Sequence, residues 1–336
     1  MALDRDLAVA FVRAWSGVAG DRNSGWEMTA ATGVRGLRLL REGRAFVAFT
    51  LTERHPEAYW VLAENASVHT GARAVLGDGR VVPDGAPFDY VDLDPYGTPV
   101  PFLPTALEAV RPGGVLATTA TDMMVLAGVQ RGASERRYGA RPIRGRLAPE
   151  GGLRILLAYV ARTARARGRA IRPLLAYARD HYVRAYVEVR ALDATTAPDP
   201  IGPIEPETWE GPPVGDRGPY GPLWLGPLFD AGIVRALAVP PDAAQPHELT
   251  RFLERLGEEI EVDRPFYYES NRLASELHLA SPPSVLEIRD ALRAGGYRAA
   301  RTQARPEGIR TDAPAAAVAE IVRGLAPQSQ NARVRA

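Results

Sequence analysis

Between residues 23 and 130, short apolar runs alternate with helix-spaced stretches, and this alternation limits the fold more than any other feature of the chain. Runs near 25–29, 46–51, 72–76, 88–93 and 114–119 predict strands, and apolar spacing near 35–42, 56–66, 102–110 and 122–130 predicts helices between them. Strands separated by helices pair in parallel, and a parallel sheet must be covered on both faces. The expectation is therefore an α/β fold with a doubly wound sheet. A helical spacing at 5–15 (Leu7, Phe11, Ala14, Trp15) precedes it, and 151–168 predicts a long helix behind it. Residues 171–190 read as two strands around a turn at Arg179–Asp180, an antiparallel pair that ends the sheet.

Beyond the sheet, residues 196–227 are rich in proline and glycine and predict an ordered, irregular excursion. Helical patterns then return at 246–260, 268–277, 283–294 and 315–324. We expect a first domain over 1–235, a smaller α+β domain over 236–325 and a frayed tail over 326–336. The chain has no cysteine, which excludes thiolate metal sites, a cysteine nucleophile and disulfides, and its five histidines lack ligand spacing, so no metal is expected. No apolar run is long enough to span a bilayer and the first fifteen residues do not read as a signal peptide, so a cytoplasmic protein is expected.

In a doubly wound sheet the ligand lies beyond the carboxyl ends of the strands, and four groups fall there. The turn Ala30-Ala31-Thr32-Gly33 lets backbone approach a cofactor, although alone it reads equally as a tight turn with no ligand. Glu53 ends the second strand, where a carboxylate accepts from both hydroxyls of a ribose, and Asp78 ends the third, placed for an adenine amine. Either acid alone reads as a solvated loop residue; at successive strand ends, the two together match an adenosine-containing cofactor. After the fourth strand comes Asp94-Pro95-Tyr96-Gly97. Asp94 and the proline carbonyl there hold both hydrogens of an exocyclic amine while Tyr96 stacks on its base. A type I turn is the alternative. Asp92 lies within the strand, as a structural group or near the cofactor.

Net charge is only +1, yet all 41 basic residues are arginine, and six of them fall in 131–146 against one glutamate. Such a cluster forms either a phosphate-binding face or a solvated helix and loop.

The chain resembles the archaeal and eukaryotic tRNA (guanine(26)-N2)-dimethyltransferases. The resemblance is carried by "RDLAV" (5–9), "AATGVRGLR" (30–38), "DLDPYGTPVPFL" (92–103), "TATDMMVLAG" (119–128), "HYVRAYV" (181–187), "GPLWLGPL" (221–228), "PFYY" (265–268) and "GIRTDAP" (308–314), in order over nearly the whole length. It implies a Rossmann-like class I methyltransferase sheet, S-adenosyl-L-methionine as cofactor, tRNA as partner and transfer of one or two methyl groups to the N2 of guanine 26. It assigns Arg5, Arg35, Glu53, Asp78 and Gly79 to the cofactor and Asp94, Pro95 and Tyr96 to catalysis. Arg131, Arg136, Arg137, Arg141 and Arg310 are expected on tRNA, with the protein acting as a monomer. Four departures stand out: Asp4 replaces an asparagine, Glu53 a more frequent aspartate and Gln303 a histidine. In addition, relatives usually carry upstream residues with an aromatic that would close on the base, so the expectation is either a mis-called start or one aromatic wall fewer. Two alternatives are an N-methyltransferase acting on another RNA base amine and a tRNA-binding paralogue without catalysis.

Overall fold

The computed structural model describes residues 2–19, 23–215 and 218–325; the expected tail over 326–336 lies outside them. Helix α1 (Ala2–Ala19) leads into β1 (Asn23–Glu27), α2 (Val34–Glu42), β2 (Phe46–Glu53), α3 (Pro56–Ser67) and β3 (Ala72–Leu76). Then follow β4 (Phe88–Leu93), α4 (Leu103–Ala109), β5 (Val110–Ala120), α5 (Met123–Leu126), α6 (Arg131–Tyr138) and α7 (Ala148–Arg165). A hairpin of β6 (Arg169–Arg179) and β7 (Tyr182–Ala191) closes the sheet, whose order is β3-β2-β1-β4-β5-β7-β6. The β1–β2, β2–β3, β1–β4 and β4–β5 pairs are parallel, and β7 runs antiparallel to both its neighbours. This is the Rossmann-like sheet the sequence predicted, with the last strand in chain order reversed.

The period of two along each strand divides the core into two layers. In β7, Val183, Ala185, Val187 and Val189 face the layer under α4 and α7, while Tyr182 and Tyr186 face the layer under α1 and α2. In β5, Leu116 and Ala120 go to the first layer, Val115 and Ala117 to the second. Each valine or leucine buried this way contributes on the order of 1.5–3 kcal/mol, and each alanine less.

The proline-rich excursion is more regular than expected, since it holds a hairpin of β8 (Ile201–Ile204) and β9 (Tyr220–Trp224). Helices α8 (Ala231–Ala236) and α9 (Pro246–Glu259) follow, and α9 sends Leu249, Phe252 and Leu256 into the same layer as α1. Then β10 (Tyr268–Glu269), α10 (Ser270–Glu276), α11 (Val285–Ala294), β11 (Ala299–Arg301), β12 (Gly308–Thr311) and α12 (Ala315–Gly324) build a small three-stranded unit, order β10-β12-β11. Its separate core is Tyr268, Leu273, Ile288, Leu292, Ile309, Val318 and their neighbours. Ser284 and Glu287 form a capping box that starts α11. Among the described residues no helix is long and apolar enough to cross a membrane.

Candidate functional site

The carboxyl ends of β1, β2, β3, β4 and β5 meet at one edge, and the groups singled out there converge. Gly33 caps α2 in a left-handed conformation (φ 79°), where a side chain would be strained and its Cβ would strike Leu62. This sharp turn folds the 28–33 loop back over the sheet. Glu53, buried at the end of β2, is braced by two backbone donors: Ala31 N–H donates to Oε2 at 2.9 Å and His55 N–H to Oε1 at 2.8 Å. The Gly77 N–H donates to the Glu53 carbonyl at 3.0 Å, which draws the loop after β3 toward β2. Gly79 then passes so close to the backbone of Met28 that a Cβ would lie 2.3 Å from its carbonyl oxygen. Asp78 is less free than its position suggested. Arg80 Nη2 donates to it at 2.6 Å and holds its carboxyl down at about 2.

Deeper in the sheet lies a charge cluster. Arg35 Nη2 donates to Asp94 Oδ2 at 2.5 Å and reaches Asp4 Oδ2 at 2.7 Å, and Arg35 Nε lies 3.9 Å from Asp92 Oδ1. On β7, the fully buried Arg184 donates to Asp92 Oδ2 at 2.6 Å and to Thr119 Oγ1 at 2.6 Å, while its Nε reaches the Tyr186 hydroxyl at 3.0 Å. Tyr90 donates to Asp92 Oδ2 at 2.7 Å and Tyr177 to Asp4 Oδ1 at 2.5 Å. Burial would raise the Asp4 carboxyl, but Arg35 and Arg184 outweigh it and hold it at about 2. Glu27, the register partner of Asp92 on β1, is driven the other way: burial and the Asp92 charge push it up to about 8.

Two atoms of this cluster are buried without a hydrogen-bond partner, Arg35 Nη1 and Asp92 Oδ1, and Thr29 Oγ1 on the adjoining loop is a third. An unpaired buried donor or acceptor costs about 1–3 kcal/mol, so native folds seldom keep one idle. One orphan donates and the other accepts, and both are charged. A zwitterion with a carboxylate and an ammonium satisfies them together. Glu53, one strand further along, offers its remaining lone pairs to a diol. Arg5 is half-buried next to Asp4, with no ion pair among the described residues. These residues fit an aminoacyl nucleoside laid across the ends of β4, β1 and β2.

Over this floor, Asp94 stays partly open, with 13% of its side chain accessible, while Pro95 is buried and Tyr96 projects fully into solvent. The loop is pinned by Thr121, whose hydroxyl accepts from Gly97 N–H at 2.7 Å and whose N–H donates to the Gly97 carbonyl at 2.8 Å. A carboxylate beside an unstacked ring presents an acceptor and a flat platform at one rim.

The arginines expected on RNA divide. Arg136 is exposed on α6 with no ion pair among the described residues. Arg144, in the same basic run, is equally free. Arg131 is paired with Glu135 at 2.9 Å, Arg137 with Asp122 at 2.6 Å, and Arg141 donates to the Gly218 carbonyl at 2.9 Å over the Tyr220 ring. Arg310 corrects the expectation outright. It is buried, and its guanidinium donates to Glu150 and Glu259 and to the carbonyls of Arg264 and Phe266, so nothing is left for a phosphate. Composition registers a charge without its neighbours. Sequence reasoning also missed Arg184 and Asp4 as members of the cluster; an arginine amid the apolar residues of "HYVRAYV" was the available signal.

The family model for N2,N2-dimethylguanosine tRNA methyltransferases matches residues 1–198 and 215–323. A tRNA (guanine(26)-N(2))-dimethyltransferase of Thermococcus kodakarensis is 37% identical over 97% of this chain and 92% of its own. The enzyme of the same name from Pyrococcus horikoshii is 30% identical over 97% and 91%. A solved complex of Trm1 from Pyrococcus horikoshii with S-adenosyl-L-methionine superposes with a TM-score of 0.83, at 30% identity, over 96% of this chain and 93% of that one.

Proposed function

The chain belongs to the N2,N2-dimethylguanosine tRNA methyltransferase family, and from that premise we propose that it transfers methyl groups to the exocyclic N2 of guanine 26 in tRNA. The observation that carries this reading is Asp94 paired with Tyr96: a half-buried carboxylate and, two residues on, a ring wholly free to stack. When bound, S-adenosyl-L-methionine supplies an electrophilic methyl group. Arg35 Nη1 and Asp92 Oδ1 suit its carboxylate and ammonium, Glu53 its ribose, Gly79 and Asp78 its adenine end, and Arg5 borders the same cleft.

The protein's own work is positional. The target base leaves its stack at a cost of a few kcal/mol, and stacking on Tyr96, worth roughly 1–3 kcal/mol, offsets part of that. Asp94 and the Pro95 carbonyl accept the two amine hydrogens, which turns the nitrogen lone pair toward the methyl group. Asp94 also disperses positive charge as it develops on nitrogen. A strong base is unnecessary, because the methylated ammonium is itself acidic. Arg131, Arg136, Arg137 and Arg141 form the basic rim that faces the tRNA, with Arg136 the freest of them. The small three-stranded unit over 268–324 serves as the tRNA-gripping part of a monomeric enzyme working in the cytoplasm, while α9, inside the expected 236–325 domain, packs with α1.

The test is incubation of the protein with S-adenosyl-L-methionine and unmodified tRNA, followed by digestion to nucleosides. The expected product is N2-methylated or N2,N2-dimethylated guanosine from position 26. Modified nucleosides at another base amine, or tRNA binding without cofactor binding, would overturn the reading in favour of one of its two rivals.

A further inference from the structure

A guanine presents more than its amine. Next to N2 lie the N1–H donor and the O6 acceptor, and Asp94 is already committed to the amine. Reading the rest of the edge requires an acceptor beside a donor. Directly after the Thr121–Gly97 contact that pins the Asp94-Pro95-Tyr96 loop comes Asp122. Its Oδ2 accepts from Arg137 Nη1 at 2.6 Å and its Oδ1 from the Tyr138 hydroxyl at 2.8 Å, both from α6. That hydroxyl is shared with Thr98 Oγ1 at 2.8 Å, on the far side of the same loop. A closed circuit of Thr98, Tyr138, Asp122 and Thr121 thus locks β5's end to the catalytic loop. Each Asp122 oxygen has one protein partner and so one lone-pair direction left. Arg137 spends one nitrogen on Asp122 and is 37% exposed at the side chain.

We infer that Asp122 and Arg137 read the Watson–Crick edge of the target base, Asp122 accepting from N1–H and Arg137 donating to O6. The inference rests on the reading of Asp94 as the amine acceptor. An ion pair fixed side by side displays acceptor next to donor, the complement of guanine. It opposes a base whose N1 accepts and whose 6-substituent donates, because like then faces like. Tyr138, wholly buried, is the positioning residue that keeps the carboxylate from turning.

The discriminating substrate is tRNA carrying 2,6-diaminopurine at position 26. It keeps the 2-amino group but reverses the hydrogen-bonding sense at N1 and position 6. The wild type is expected to favour guanine by about 100-fold in kcat/KM, in line with roughly 1–3 kcal/mol for each well-placed pair. Asp122→Asn, whose amide can donate to N1, is expected to shrink that preference by about tenfold or more while the cofactor Kd stays within about twofold. Arg137→Gln, a change at a side chain more than one-third exposed, provides a second reading and should also narrow the preference. If both variants lose activity equally on the two substrates, Asp122 is a strut of the loop and the inference fails alone. A wild type that does not methylate guanine 26 overturns the proposed function and the inference with it.

Discussion

Two buried charge clusters hold this molecule together, and they differ in completeness. Between α7, α9 and the C-terminal sheet, Glu150, Arg154, Glu259 and Arg310 pair every charged atom. Arg154 adds the Trp224 carbonyl, and Glu259 takes Thr302 Oγ1 and the Gln303 N–H. At the carboxyl edge, Asp4, Arg35, Asp92 and Arg184 are as deeply buried, yet Arg35 Nη1 and Asp92 Oδ1 lack hydrogen-bond partners. Both clusters mix arginine with carboxylates, so residue type does not separate them. The separating property is the leftover valence. A saturated cluster fastens two parts of the fold, and an unsaturated one at strand ends is shaped for something that arrives later.

The largest expected effect comes from the unsaturated side. Asp94→Ala should lower kcat by about 10²–10⁴-fold, since its hydrogen bond strengthens as charge develops on the amine. Asp4 still holds Arg35 at 2.7 Å in that variant, so cofactor affinity measured by calorimetry should change by no more than about tenfold. A collapse of cofactor binding would make Asp94 a cofactor ligand and erase the division of roles.

Next in size is a change on the saturated side. Arg310→Met leaves Glu150 and Glu259 buried with an uncompensated charge, which should destabilise the fold by about 3–5 kcal/mol in urea unfolding. The salt dependence of tRNA affinity should not move, because Arg310 touches no solvent that a phosphate could reach. A flatter salt slope without loss of stability would return Arg310 to the RNA surface.

Two buried glutamates, one in the saturated cluster and one beside the unsaturated one, should also respond to pH in opposite directions. Burial would raise Glu150, but Arg310 and Arg154 hold it at about 2. Its contribution is therefore present above its ordinary value of 4.5 and lost as pH falls toward 2. Glu27 is raised from 4.5 to about 8, so the folded state keeps a proton that the unfolded state has released. Stability should then decline as pH rises through that window. Glu27→Gln keeps an acceptor for the Gly36 N–H, now 3.0 Å from Oε2, and removes the titration. Melting temperatures at pH 5 and pH 8 should lie closer together in this variant than in the wild type. An unchanged gap would mean that Glu27 is ionised in the fold.

The local pattern explains which parts of this contrast were legible in the sequence. Strands and helices repeat every two or 3.6 residues, so the sheet and most of its helices emerged from spacing alone. Glu53 and Asp94 follow directly from their strands and were singled out by strand-end logic, whereas Arg35, on α2, was assigned through the family resemblance. The rest of the floor depends on contacts with no local trace: Arg184 meets Asp92 across 92 residues and Tyr177 meets Asp4 across 173. Arg310 was misplaced for the same reason, its partner Glu150 lying 160 residues away. Helix α6 escaped because its few apolar positions, Ala133 and Tyr138, are too sparse to show a period.

The smallest effect concerns arginines that belong to neither cluster. Arg136 and Arg144 are exposed and unpaired among the described residues, whereas Arg131 has Glu135 and Arg141 has the Gly218 carbonyl. A free guanidinium loses nothing inside the protein when it meets a phosphate, while a paired one must first give up its partner. Replacing Arg136 or Arg144 with glutamine should therefore weaken tRNA binding a few-fold. Each should also reduce the slope of log affinity against log salt by about 0.9 if it neutralises a phosphate of duplex, or about 0.7 in a single strand. Arg131→Gln should do less, because Arg131 must give up Glu135 before it meets a phosphate, and the unpaired, solvent-exposed Glu135 left behind repels the backbone only weakly. If Arg131 and Arg136 prove equal, pairing within the protein does not decide which arginines are available. Leftover valence would then describe the buried clusters but not the surface.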